Sequence, residues 1–137
     1  MIVVPQEILD QMVRHSKDEL PNESCGYLSG SDSEVRTCYE MTNLDQSPEH
    51  FSFDPKEQFS VMKQAREKDE RLVGVYHSHP ETPARLSQED LRLLNDPNMV
   101  YFIVSLMGEE ADVKAFMIKK ESEEDIHIKQ IEIKTKK

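Results

Sequence analysis

Two histidines one residue apart, His77 and His79, stand at the end of an apolar run, Leu72-Val73-Gly74-Val75-Tyr76. Such a run reads as a short buried strand. Alternate residues of a strand share one face at a spacing of roughly 6–7 Å, so both imidazoles can converge on one small ion while Ser78 faces away. Pro80 has no N–H to give a ladder, and the chain leaves the sheet there. Ser87-Gln88-Glu89-Asp90 then opens a helix, and Asp90 in its first turn can swing a carboxylate back toward the histidines. Two histidines and one carboxylate form the donor set of a catalytic zinc that keeps a position open for water. Plainer readings stand beside this one. Paired histidines are common on surfaces, and a carboxylate in a first turn complements the helix dipole whether or not it binds metal.

Amide hydrolysis at such a centre needs a carboxylate near the metal but not bound to it, to take a proton from water and pass it to the departing amine. By composition Glu19, Glu23, Glu40 and Glu49 all qualify. Glu23 has one physical advantage: it immediately precedes a strand that can hold it rigidly. Ser87 begins a Ser-x-x-Asp capping box, and its hydroxyl can accept one hydrogen bond from the helix while donating another.

Taken whole, His77-x-His79-Pro80, six residues, then Ser87-x-x-Asp90 resembles the signature of the JAMM/MPN+ zinc metallopeptidases. Glu23-Ser24-Cys25-Gly26-Tyr27-Leu28 is similar to that family's Glu-x-Cys-Gly-x-Leu stretch, and the likeness runs on through Met41–Leu44, Ser47–Pro55 and Leu72–Leu106. The resemblance implies an α/β (α+β) fold, a mixed sheet flanked by helices of the cytidine-deaminase-like JAMM/MPN type. It implies one Zn2+ per chain on His77, His79 and Asp90, with Glu23 as the catalytic proton carrier and Ser87 stabilising the oxyanion. Small prokaryotic proteins of this kind process ubiquitin-like sulfur-carrier proteins that end in Gly-Gly. The implied reaction is therefore hydrolysis of a peptide or isopeptide bond just after that Gly-Gly. Larger deubiquitinating members carry inserted segments, for which six residues between Pro80 and Ser87 leave little room. A compact groove suits an extended tail laid beside a strand. Two alternatives remain, an isopeptidase acting on Lys-linked conjugates and a non-catalytic scaffold of the same fold. The full set of Glu23, His77, His79, Ser87 and Asp90 weighs against the scaffold. A zinc nucleobase deaminase would need a Pro-Cys-x-x-Cys motif, which is absent.

The 137 residues make one domain, 1–137, of a size that supports a real core. A formal charge of −10, from 17 basic and 27 acidic residues, disfavours nucleic acid as a partner. No window reaches transmembrane length, and Met1-Ile2-Val3-Val4 lacks the basic start of a signal peptide, so a cytoplasmic protein is expected. Cys25 and Cys38 have no Cys-x-x-Cys spacing and read as reduced, buried thiols. A homodimer is compatible with the sequence.

The remaining elements follow from periodicity. Pro5 suits a first helical turn, and Ile8, Leu9, Met12 and Val13 form a helical stripe with His15 at its edge, read as a surface histidine. Strands are expected from Cys25 to Ser29 and around Val35–Tyr39, with Gly30–Ser33 as the turn. Asn43–Phe53 reads as a long functional loop containing His50. Asp54 caps a second helix, with Pro55 at its start, Glu57 reaching back, and Phe59, Met62 and Ala65 as its apolar stripe. Leu91 and Leu94 should pack inward from the helix at Ser87, and Val100–Leu106 is a central strand covered on both faces. Val113, Ala115 and Met117 alternate in the next strand, followed by an acidic turn, Glu121–Asp125. Ile126, Ile128, Ile131 and Ile133 slip phase by one residue, which predicts a bulge or a bend between two short strands. The tail Lys134–Lys137 is expected to fray.

Overall fold

The computed structural model describes residues 1–137. Its elements are β1 (Ile2–Pro5), α1 (Gln6–Asp18), β2 (Cys25–Ser31), β3 (Glu34–Met41), α2 (Pro55–Glu67), β4 (Arg71–His79), α3 (Gln88–Leu93), β5 (Val100–Ser105), β6 (Asp112–Lys120), β7 (Ile126–Ile131) and β8 (Ile133–Lys136). All eight strands join one mixed sheet in the order β7-β6-β5-β4-β2-β3-β1-β8. β4 and β5 run parallel, as do β1 with β3 and β1 with β8, and the other neighbours are antiparallel. The mixed α+β architecture expected from the sequence is present.

The phase slip among the C-terminal isoleucines has a large consequence. β7 and β8 are separated by Glu132 alone, yet they lie at opposite edges of the sheet. The edges can be so close in sequence only if the sheet curls until they meet. Val3 pairs with Lys134 and Val4 with Thr135, so Lys134–Lys136 are strand residues and not a frayed tail. The first residues are likewise a strand, β1, which composition alone did not reveal because four residues are too few to display a period.

One face of the sheet packs on α1 through Ile2, Val4, Ile8, Met12, Leu28, Tyr76, Phe102 and Val104. The other carries Cys25, Tyr27, Tyr39, Val75, Tyr101 and Ile118, on which α2 packs through Val61. Val100–Ser105 is the covered central strand predicted, with Tyr101 to Ser105 all buried. In β4 the register steps from Leu28 opposite Gly74 to Ser29 opposite Leu72, leaving Val73 as an extra residue. From Gly74 onward the alternation is regular. Val75, His77 and His79 share one face, and Tyr76 and Ser78 share the other.

Three expectations need correction. His15 is not on the surface: it is buried, with Nδ1 2.6 Å from the Tyr76 hydroxyl, because α1 lies flat against β4. Phe59 and Met62 do not form the buried stripe of α2 and are 73% and 49% exposed, whereas Val61 and Ala65 face the sheet. Glu57 does not close the cap of α2; Asp54 accepts from the Lys56 N–H, and Glu57 reaches across to the N–H and hydroxyl of Thr42. The strand β2 also runs to Ser31, two residues past its expected end, and the turn shrinks to Asp32-Ser33, with Asp32 in the left-handed region at φ 49°. At Gly26 no side chain is possible. A Cβ there would overlap the Tyr76 ring and sit 2.6 Å from the Tyr39 carbonyl oxygen.

Candidate metal centre

β4 ends at His79, and α3 starts 11 residues beyond His77 at Gln88. Ser87 caps that helix: its Oγ accepts the Asp90 N–H at 3.0 Å, and the Asp90 carboxylate accepts the Ser87 N–H at 3.0 Å. The reciprocal bonds fix Asp90 over the end of β4. Leu94 is buried behind the helix and Leu91 half-buried, which docks the element as expected.

The result is a tight convergence. His77 Nε2 lies 3.1 Å from Asp90 Oδ1, His79 Nε2 lies 3.0 Å from Asp90 Oδ2, and the two ring nitrogens are 3.1 Å apart. All three residues are buried. The His79 Nδ1 donates to the Pro83 carbonyl at 2.9 Å, so that when Nε2 gives up the proton it shares with Asp90 its lone pair is left directed at the centre. The His77 ring is held by packing, with Phe51 of the long loop stacked on it at 4.9 Å and 25°. Burial alone would raise the Asp90 carboxyl. Hydrogen bonds from His77 and His79, the His77 charge and the Ser87 N–H outweigh it and hold the group well below the usual carboxylate range. For His79 burial works against protonation, but the Asp90 and Pro83 hydrogen bonds raise it above the ordinary histidine value.

This donor set fits a divalent metal. Three ligand atoms from His77, His79 and Asp90 lie within 4.8 Å of one another, and lone pairs crowded at this spacing in a buried site are satisfied by a cation rather than by one another.

Glu23 sits where the end of α1 turns into β2. Its N–H donates to the Ser47 carbonyl and its own carbonyl accepts from the Asn43 side chain, so the long loop clamps it from the far side. It is buried, and its Oε1 has no hydrogen-bond partner. Burial first, then the charges of Asp90 and Glu49, push its carboxyl up to about 9. The Ser24 N–H donates to Ser78 Oγ at 2.8 Å, and the Ser78 N–H to the Ser24 carbonyl at 3.1 Å. The residue after Glu23 is thus tied to the residue between the two histidines. Of the other glutamates weighed, Glu19 and Glu40 face His15 on the opposite side of the sheet, at 3.7 and 4.0 Å. His50 is exposed and pairs with Asp45 at 2.8 Å, apart from the centre. Cys25 is buried and Cys38 half-buried; both are free, and burial pushes both thiols up to about 12. Phe51 was not singled out from the sequence, because a single aromatic in an aperiodic loop has no spacing to mark it.

Residues 5–119 match the family model described as prokaryotic homologs of the JAB domain. The chain belongs to this prokaryotic JAB family. Among relatives, it is 34% identical over 107 residues to the CysO-cysteine peptidase of Mycobacterium tuberculosis, covering 77% of this chain and 73% of that one. It is 28% identical to the desampylase of Pyrococcus furiosus over 79% of this chain and 76% of that one. Among solved structures, a protein from Desulfitobacterium hafniense superposes with a TM-score of 0.87 at 41% identity, covering 99% of this chain and 93% of that one. A JAB1/MPN domain protein from Archaeoglobus fulgidus shares the fold, with a TM-score of 0.63 at 18% identity over 100% of this chain and 98% of that one. No helix of this JAB-family chain is long and apolar enough to cross a membrane.

Proposed function

We propose that the chain, acting as one domain over residues 1–137, is a cytoplasmic zinc-dependent peptidase. It hydrolyses the bond just after the C-terminal Gly-Gly of a ubiquitin-like sulfur-carrier protein and releases an amino acid or short peptide. One observation carries this reading: the buried convergence of His77, His79 and Asp90 beside a buried, partnerless Glu23 oxygen. A scaffold needs none of these groups together. The name of the M. tuberculosis relative, a CysO-cysteine peptidase, supports a substrate in which one amino acid extends a carrier.

His77, His79 and Asp90 would hold one Zn2+ per chain, and zinc there supplies positive charge that polarises the scissile carbonyl and acidifies a water molecule. Each residue then has a distinct task. Asp90 stays ionised and so remains a ligand. Glu23, buried near Asp90 with a carboxyl oxygen that no protein group occupies, takes the proton from water and delivers it to the departing amine. Ser87 keeps its oxygen on the Asp90 N–H, which frees its proton for the developing oxyanion.

The test offers the zinc-loaded protein two substrates, a carrier with a linear extension after Gly-Gly and a carrier joined through Gly-Gly to a lysine side chain. Mass spectrometry of the products should show cleavage of the linear extension directly after Gly-Gly. Exclusive cleavage of the lysine conjugate would overturn the substrate assignment, and cleavage of neither would revive the scaffold.

A further inference from the structure

The loop between β4 and α3 is pinned at three successive residues. Ser105 Oγ donates to the Thr82 carbonyl at 2.6 Å, the Pro83 carbonyl accepts from His79, and Ala84 is buried against Ile103 and Phe116. Arg85 comes next. Its N–H is tied to the Pro83 carbonyl at 2.9 Å, so its backbone is fixed, yet its side chain is exposed and bonded to nothing. Arg92 nearby differs, being joined to Glu89 at 2.8 Å.

Arg85 lines a cavity of about 510 Å³ together with His79 and Ser87, and no carboxylate lines it. A second cavity of about 680 Å³ shares Thr82 with the first; Glu49 and Glu81 line it, and no basic residue does. The cavity that reaches His79 and Ser87 therefore carries a cation, and the neighbouring cavity across Thr82 carries two anions. In a chain of formal charge −10, an unpaired arginine whose backbone is held beside His79 and Ser87 is a specific attraction for an anion. Guanidinium matches a carboxylate in a two-pronged geometry.

We propose that Arg85 binds the α-carboxylate of the residue to be released, making the enzyme selective for a carrier extended by a single amino acid with a free C-terminus. The inference rests on the peptidase reading above and narrows it. The released residue lies toward Arg85, since its carboxylate would be repelled by Glu49 and Glu81, and the carrier approaches from the acidic side. Each further residue of extension carries the terminus roughly 3.3–3.6 Å onward, so the pairing weakens as the extension outgrows the reach of a side chain anchored at a fixed backbone. A lysine conjugate presents no α-carboxylate at that distance from the bond.

The test is a binding measurement made where cleavage is slowed by the loss of Glu23. Zinc-loaded Glu23→Gln protein, and the same protein carrying Arg85→Ala or Arg85→Lys, are titrated with acetyl-Gly-Gly-Cys and with its C-terminal amide, followed by NMR. The acid should bind at least about tenfold tighter than the amide, as one charge-assisted contact provides. That advantage should vanish with Arg85→Ala and survive in part with Arg85→Lys. An advantage untouched by Arg85→Ala, as when the metal itself takes the carboxylate, overturns the proposal, and so does equal binding of acid and amide. Thermal melting of the Arg85→Ala protein should match its parent, since the side chain bonds to nothing. If the binding behaves as expected while the wild-type protein cleaves no carrier, the carboxylate site stands and the peptidase reading falls.

Discussion

Glu23 is the residue in which position and chemistry are hardest to separate, because one buried carboxyl must be close to Asp90 without joining the ligands. Glu23→Gln keeps size and polarity but cannot carry a proton. The variant should retain full zinc content and lose activity by at least about a hundredfold. Normal turnover would remove Glu23 from the mechanism. The same group has a signature in stability. Its carboxyl is raised from 4.5 to about 9 in the metal-free fold, so between these values the folded chain binds more protons than the unfolded one. The contribution is fully present below about pH 4.5 and is lost as pH rises through about 9. Melting curves of the metal-free protein from pH 5 to 9 should show the wild type losing more stability than Glu23→Gln. Parallel pH profiles for the two proteins would mean that Glu23 is not held protonated.

The elements matter because each delivers one part of the centre. β4 supplies two histidines by alternation, the capping box of α3 supplies Asp90, and β2 begins at Cys25, one residue beyond Glu23's neighbour Ser24. Ser87→Ala removes the acceptor for the Asp90 N–H, which should cost about 1 kcal/mol as a lost cap. Activity should fall by far more than that stability loss would explain, because the oxyanion donor goes too. Equal, small effects on both would leave Ser87 as a cap only. Much of this was legible in the sequence. A strand's alternation and a capping box are local rules, so His77, His79, Ser87 and Asp90 could be placed together from spacing. Glu23 could not, since four glutamates met the chemical requirement and the family resemblance was needed to choose among them. His15, Phe59 and Met62 were misread for a related reason. Periodicity says which residues share a face of a helix, but not how much of that face the sheet covers.

At the scale of the whole molecule, the sheet closes on itself at Glu132, and that closure was not readable from the isoleucine pattern. The pattern marks a break in phase but not the partner each half finds. β8 covers the β1 edge in parallel, and Ile133 packs against the core beside α1. Removing residues 133–137 should expose that edge and lower the melting temperature by roughly 3–8 °C, the equivalent of about 1–2 kcal/mol. An unchanged melting temperature would make β8 dispensable. The centre lies on β4, four strands away in the sheet order, so zinc binding should survive the truncation.

The claim on which everything else depends is that His77, His79 and Asp90 hold zinc. Elemental analysis of purified protein, wild type beside His77→Ala and Asp90→Ala, tests it directly. The wild type should carry one zinc per chain and each variant should lose most of it while remaining folded. Full zinc in either folded variant would contradict the account.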